Sequence, residues 1–271
     1  MASIPKIEHK MSLQNPFKTP EDVVDWVLAY GRNPEVVKLI PAIKTLDELD
    51  LQISAFVAKI LNEYPQMLNG CLKELNVEGI SHDKSKGILE AVWLSELDNR
   101  TETLQSISKN GKTKWIKKVA LRLLSKKPID PYKGIELDDS TPKKLDILWG
   151  HYFYSNKSTP VEKIVEVASL LFKKIDEEGK KAIEKAGSKD KSDVPTILVF
   201  LGKSNNLSHN KSIDMFKRFC VVDDNLYKIV LENLGSQIKK SPSAQNFFRN
   251  LCKERQFKLL LEKKKTQTTK S

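Results

Sequence analysis

Glycine is scarce in this chain, at 11 of 271 residues, and runs of strand-like apolar–polar alternation are scarcer. Both shortages tilt the fold class to all-α. The three cysteines, Cys71, Cys220 and Cys252, are odd in number, widely spaced and without a C-x-x-C pair. They read as small buried residues in a reducing compartment. The four histidines (His9, His82, His151 and His209) have no histidine or cysteine three or four residues away, so the spacing that holds a metal is missing. The longest apolar run, Ile197–Leu201, is far short of the roughly 20 residues of a membrane-spanning helix. Met1–Lys10 lacks the apolar stretch of a signal peptide. Nucleophilic catalysis has no visible signature either, with no G-x-S-x-G and no cysteine in a protease motif.

Two strings mimic the end of a phosphate loop, Gly111-Lys112-Thr113 and Gly202-Lys203-Ser204. The earlier glycine that lets backbone N–H groups wrap phosphates is Ser106 in one and Ile197 in the other, which argues against both. The acid pairs Asp138-Asp139 and Asp223-Asp224 precede expected helices, where the helix dipole accounts for them. No cofactor, metal site or catalytic constellation is expected, and the chain is read as a non-enzyme.

What the chain has is positive charge, and it is segregated. Of the net +11, Lys109 to Lys127 carries +8 with no acid, and Arg249 to Ser271 carries +6, leaving −3 for the rest. An anionic partner should therefore meet those two segments.

It also has helical periodicity, clearest from Thr141 to Leu171. Thr141-Pro142 is a helix start, with the threonine oxygen expected to cap an N–H and proline at the first position. Leu145, Leu148, Trp149, Tyr152 and Phe153 then form one wide apolar stripe. Gly150 flanks that stripe, where a missing side chain would let a neighbouring helix approach closely. Tyr154–Ser158 supplies a turn. Thr159-Pro160 with Glu162 reads as a capping box, and Val161, Ile164, Val165, Ala168, Leu171, Phe172 and Ile175 continue the stripe. Facing stripes on two antiparallel helices make an αα-hairpin.

Within it, Asp146, Leu148, Trp149, Gly150 and Phe153 form an Asp-x-Leu-Trp-Gly-x-x-Phe segment that resembles one in poorly characterised bacterial proteins of tetratricopeptide-like helical repeats. The resemblance covers about thirty residues and implies a fold, not a reaction, so no active site comes with it. His151, inside the match, is expected to be packed or at the surface rather than a ligand.

In chain order, residues 1–14 read as a flexible N-terminal arm and 15–125 as an N-terminal helical half. A Pro- and Gly-containing hinge is expected over 126–140, a C-terminal helical half over 141–261 and a disordered basic tail over 262–271. The first half should hold a helix opened by Thr19-Pro20, one from about Leu46 to Tyr64, one after Pro65, one carrying Ile88, Ala91 and Val92, one from about Asp98 to Ser108, and a basic helix from about Thr113 to Leu124. The second half adds helices from about Lys211, Asp223 and Ser241-Pro242. Val194–Leu201 reads as a buried helix, with a strand as the alternative. Helix pairs recur at roughly 30–45 residues. The fold is read as all-α, an irregular α-solenoid of helical hairpins, with a compact two-lobed helical bundle as the alternative.

The basic helix is the sharpest candidate surface. Lys114, Lys118 and Arg122 follow at i, i+4 and i+8, with Lys117 beside them, Lys112 before and Lys126 and Lys127 after. Trp115, Ile116, Val119 and Leu123 point away. This face reads either as a docking surface or as the solvated outer side of a repeat helix. As a docking surface it suits a non-enzymatic protein-interaction module. Peripheral binding to anionic membrane or nucleic acid is the alternative, although base-stacking aromatics are thin. The lysine- and threonine-rich C-terminus is compatible with the tail of a bacterial effector delivered to a host cell, so the expected location is cytoplasmic or a host cell.

Overall fold

The computed structural model describes residues 15–134, 137–138, 140–186, 220–221, 223–238 and 241–268. Among these are eleven α-helices and no strand. They are α1 (Pro20–Tyr30), α2 (Leu39–Thr45), α3 (Leu51–Glu63), α4 (Leu68–Glu74), α5 (His82–Leu94), α6 (Arg100–Asn110), α7 (Lys114–Leu124), α8 (Thr141–Ser155), α9 (Ser158–Ala186), α10 (Asp224–Ile238) and α11 (Pro242–Thr268). The all-α class holds. The N-terminal arm, Val194–Leu201, the second phosphate-loop mimic and all but the last residue of the helix expected from about Lys211 to Cys220 lie outside the described residues.

The chain divides into two compact units, one of residues 1–50 and 57–125 and one of 51–56 and 126–271. In the first, α1 packs on α2, α2 on α4, α4 on α5, and α5, α6 and α7 on one another. In the second, α9 packs against α8, α10 and α11. The first six residues of α3 belong with this second unit.

Local sequence explains where several helices begin. Thr19 closes a capping box on α1: its hydroxyl accepts from the Asp22 N–H at 3.3 Å, while the Asp22 carboxylate accepts from the N–H groups of Lys18 at 2.8 Å and Thr19 at 3.0 Å. Those two backbone bonds hold the Asp22 carboxyl below its ordinary range. Ser81 caps α5 and Thr113 caps α7 through the hydroxyl alone, accepting from the N–H groups of Lys84 and Ile116. The stripe of α1, Val23, Trp26, Val27 and Tyr30, is buried.

One helix, α2, is not among those read from the sequence, and three boundaries differ from expectation. Helix α2 forms across Pro41, because a proline in the first turn lacks only an N–H that has no intrahelical partner. Helix α3 begins at Leu51 rather than Leu46. Leu49 is nonetheless 4% exposed, since it lies in the loop against α5. A Cβ on Gly87 would stand 2.4 Å from both the Cβ and the carbonyl oxygen of Leu49, so only glycine fits there. The hairpin turn is two residues, Asn156 and Lys157, because Asn156 takes the left-handed conformation at φ 50°, which asparagine tolerates. Thr159 consequently falls inside α9 and forms no cap. Thr141 likewise does not cap α8; its hydroxyl accepts from the Asp138 N–H at 2.9 Å. Finally, α11 runs through Thr268, taking in most of the tail expected to lack structure. Lysine, glutamate, leucine and glutamine are good helix formers.

Helix α8 is the core of the second unit. Its stripe residues Leu145, Leu148, Trp149, Tyr152 and Phe153 are buried, and so are Ile147 and Gly150. A Cβ on Gly150 would meet the Gln52 carbonyl oxygen at 2.4 Å and the Phe56 nitrogen at 2.7 Å. The neighbour that this glycine admits is therefore the first part of α3. Beside that contact, Gln52 Nε2 donates to Asp146 Oδ1 at 3.0 Å.

Candidate functional site

The basic helix is built as a two-sided element. Gly111 ends α6, and a Cβ there would lie 2.7 Å from the Ile107 carbonyl oxygen, so the chain can turn tightly back. Thr113 then starts α7 by accepting from the Ile116 N–H at 3.2 Å. The first phosphate-loop mimic is thus the turn between two helices. Ile116, Val119, Ala120 and Leu123 are buried, against α5 and α6. Trp115 is half-buried and stacks on His82, with ring centroids 4.5 Å apart.

On the opposite side Lys114, Lys118 and Arg122 are exposed and Lys117 is half-buried. Among the described residues none of these four makes an ion pair. Helical geometry brings them onto one face. Of the other expected members, Lys112 is committed elsewhere, its Nζ donating to the Asn76 carbonyl oxygen at 3.0 Å. Lys126 and Lys127 are exposed but belong to the second unit. One residue of this face was not expected. Leu121 is 63% exposed, and its position between Lys117 and Lys118 one turn on was readable from the same spacing.

Two depressions also lie in the first unit. The larger, about 530 Å³, runs past Phe17, Asp22, Asp25, Trp26, Asn33 and Glu35. Asp22 is occupied in capping, and Glu35 pairs with Lys38. The smaller, about 180 Å³, is lined by Asp47, Glu74, Ser81 and Lys84 among others. Glu74 is buried with the Lys44 ammonium 3.9 Å away. Lys84 donates to the Lys44 carbonyl oxygen at 3.1 Å, and burial lowers its pKa. In these depressions Asp22, Glu35, Glu74 and Lys84 are each engaged with a neighbouring group of the protein.

The remaining chemistry-bearing residues have structural partners. The His151 ring stacks on Tyr132, whose hydroxyl is 3.0 Å from His151 Nδ1; burial and Asp130 push that phenol up to about 12. Asp223 caps α10 by accepting from the Leu226 N–H at 3.1 Å and also accepts from the Tyr152 hydroxyl at 2.9 Å. Arg255 donates to the Cys220 carbonyl oxygen, pairs with Asp224 and lies over the Tyr227 ring. Cys71 and Cys220 are buried, Cys252 is half-buried, and all three are free thiols. Among the described residues no three His, Cys, Asp or Glu side chains are grouped to hold a metal ion. No described helix is long and apolar enough to cross a membrane.

No protein-family model, curated protein or solved structure matches this chain.

Proposed function

We propose that this chain is a non-enzymatic protein-interaction module that captures an acidic partner on the outward face of α7. The observation that carries this reading is the set of four cations, Lys114, Lys117, Lys118 and Arg122, which share one face and have no acid paired to them among the described residues. A solvated surface helix ordinarily intersperses opposite charges, and such a set steers an anionic partner toward it. Hairpins such as α6–α7 and α8–α9 support a repeat-like architecture within each unit, which suits display of a binding face.

The test is a pull-down from cell lysate with the wild-type chain and with all four cations changed to glutamate. Loss of the captured bands in the variant supports the reading, and equal recovery refutes it. The likeness of Asp146–Phe153 to bacterial helical-repeat proteins and the composition of the C-terminus support delivery to a host cell. A translocation reporter fused to the chain tests that step.

A further inference from the structure

The outward face of α7 is not uniformly charged. Leu121 is the most exposed of the large apolar side chains among the described residues. At about 100° per residue it stands between Lys117 on one side and Lys114 and Lys118 on the other, with Arg122 beyond. The face therefore holds one exposed apolar side chain among cations that make no ion pair with the described residues.

The backbone adds to that positive field. Four other described helices carry acids in the first turn against the helix dipole, Glu21 and Asp22 in α1, Asp83 in α5, Glu102 in α6 and Asp224 in α10, and six carry none. Helix α7 has no acid there and opens on Lys114.

Three anionic classes would use Leu121 differently. A phosphodiester backbone neutralises the cations and leaves the leucine without an apolar partner. A bilayer surface takes up a helix by its apolar side, and that side of α7 is packed within the protein. A protein segment with carboxylates around one apolar residue satisfies both features together. Resting on the interaction-module reading, we infer that the partner presents an acidic amphipathic segment. One apolar side chain of that segment is seated on Leu121, and its carboxylates lie over Lys114, Lys117, Lys118 and Arg122.

The experiment uses the full chain and four labelled probes. These are a short helix-forming peptide whose glutamates flank one leucine, the same peptide with serine for that leucine, a DNA duplex, and phosphatidylserine-containing vesicles. The leucine peptide should bind tightest. Leu121→Ser should weaken it about tenfold, which is about 1.4 kcal/mol, while leaving the serine peptide unchanged; Lys118→Glu should weaken both peptides. Circular dichroism confirms that each variant is folded. Equal binding of the two peptides, insensitive to Leu121→Ser, overturns the apolar seat but leaves the charged docking face standing. Tighter binding of duplex or vesicles overturns the partner class. Failure of every anionic probe, or indifference to Lys118→Glu, removes the docking face as well.

Discussion

Gly150 stands where a side chain would run into the backbone of another helix. An alanine there gains about 1 kcal/mol of helix propensity. It must also displace the Gln52 carbonyl and the Phe56 nitrogen, and overpacking of this kind costs about 1–3 kcal/mol. Because the atoms in the way are backbone, the packing penalty wins. Gly150→Ala is expected to lower the urea midpoint of the second unit, followed through Trp149 fluorescence. An unchanged midpoint would mean that α3 and α8 separate freely. At Asp22 the sign runs through protonation. Its folded pKa lies below the 3.8 of a free aspartate, so the unfolded chain binds the proton more readily. The stability that this carboxylate contributes is whole above 3.8 and is lost as pH falls through the lower folded value. Asp22→Asn should flatten the acid limb of the pH–stability curve. Thiol reactivity follows burial: at neutral pH Cys252 should label first, whereas Cys71, pushed up to about 12 by burial, should label only on unfolding.

At the scale of one element, α7 is assembled against its own stability. Lys114–Lys118 and Lys118–Arg122 are like-charged pairs at i, i+4, each unfavourable by about 0.2–0.5 kcal/mol, and Lys114 opposes the helix dipole by about 0.3–1 kcal/mol. Lys118→Glu turns both repulsive pairs into attractive ones. This variant should therefore melt higher than the wild type while binding an acidic peptide less well, read by thermal denaturation and fluorescence anisotropy on one preparation. A lower melting temperature would show that Lys118 has a structural partner. The hairpin of α8 and α9 makes the complementary point. Its stripes were legible because burial at i, i+3, i+4 and i+7 follows from helix pitch alone. Its turn was not: five turn-forming residues stood available, and the left-handed Asn156 closed it in two.

Across the molecule, +8 of a net +11 sits in nineteen residues, so binding through that segment should weaken steeply with salt. The Debye length shrinks from about 10 Å at 0.1 M to about 3 Å at 1 M. Affinity for an acidic peptide should fall over that range, leaving the smaller contribution of Leu121; an affinity indifferent to salt would rule out charge as the main attraction. Helix class, the helix start at Thr19-Pro20 and the line of cations on α7 were determined by sequence, because each depends on residues within a turn or two of one another. Tertiary structure alone decided that Leu51–Phe56 joins the second unit, that α3 is the helix Gly150 admits, and that Leu49 serves Gly87 from a loop. It decided too that Leu121 stays uncovered among its lysines. Local spacing sets which side of a helix is apolar, whereas what covers that side depends on segments far away along the chain.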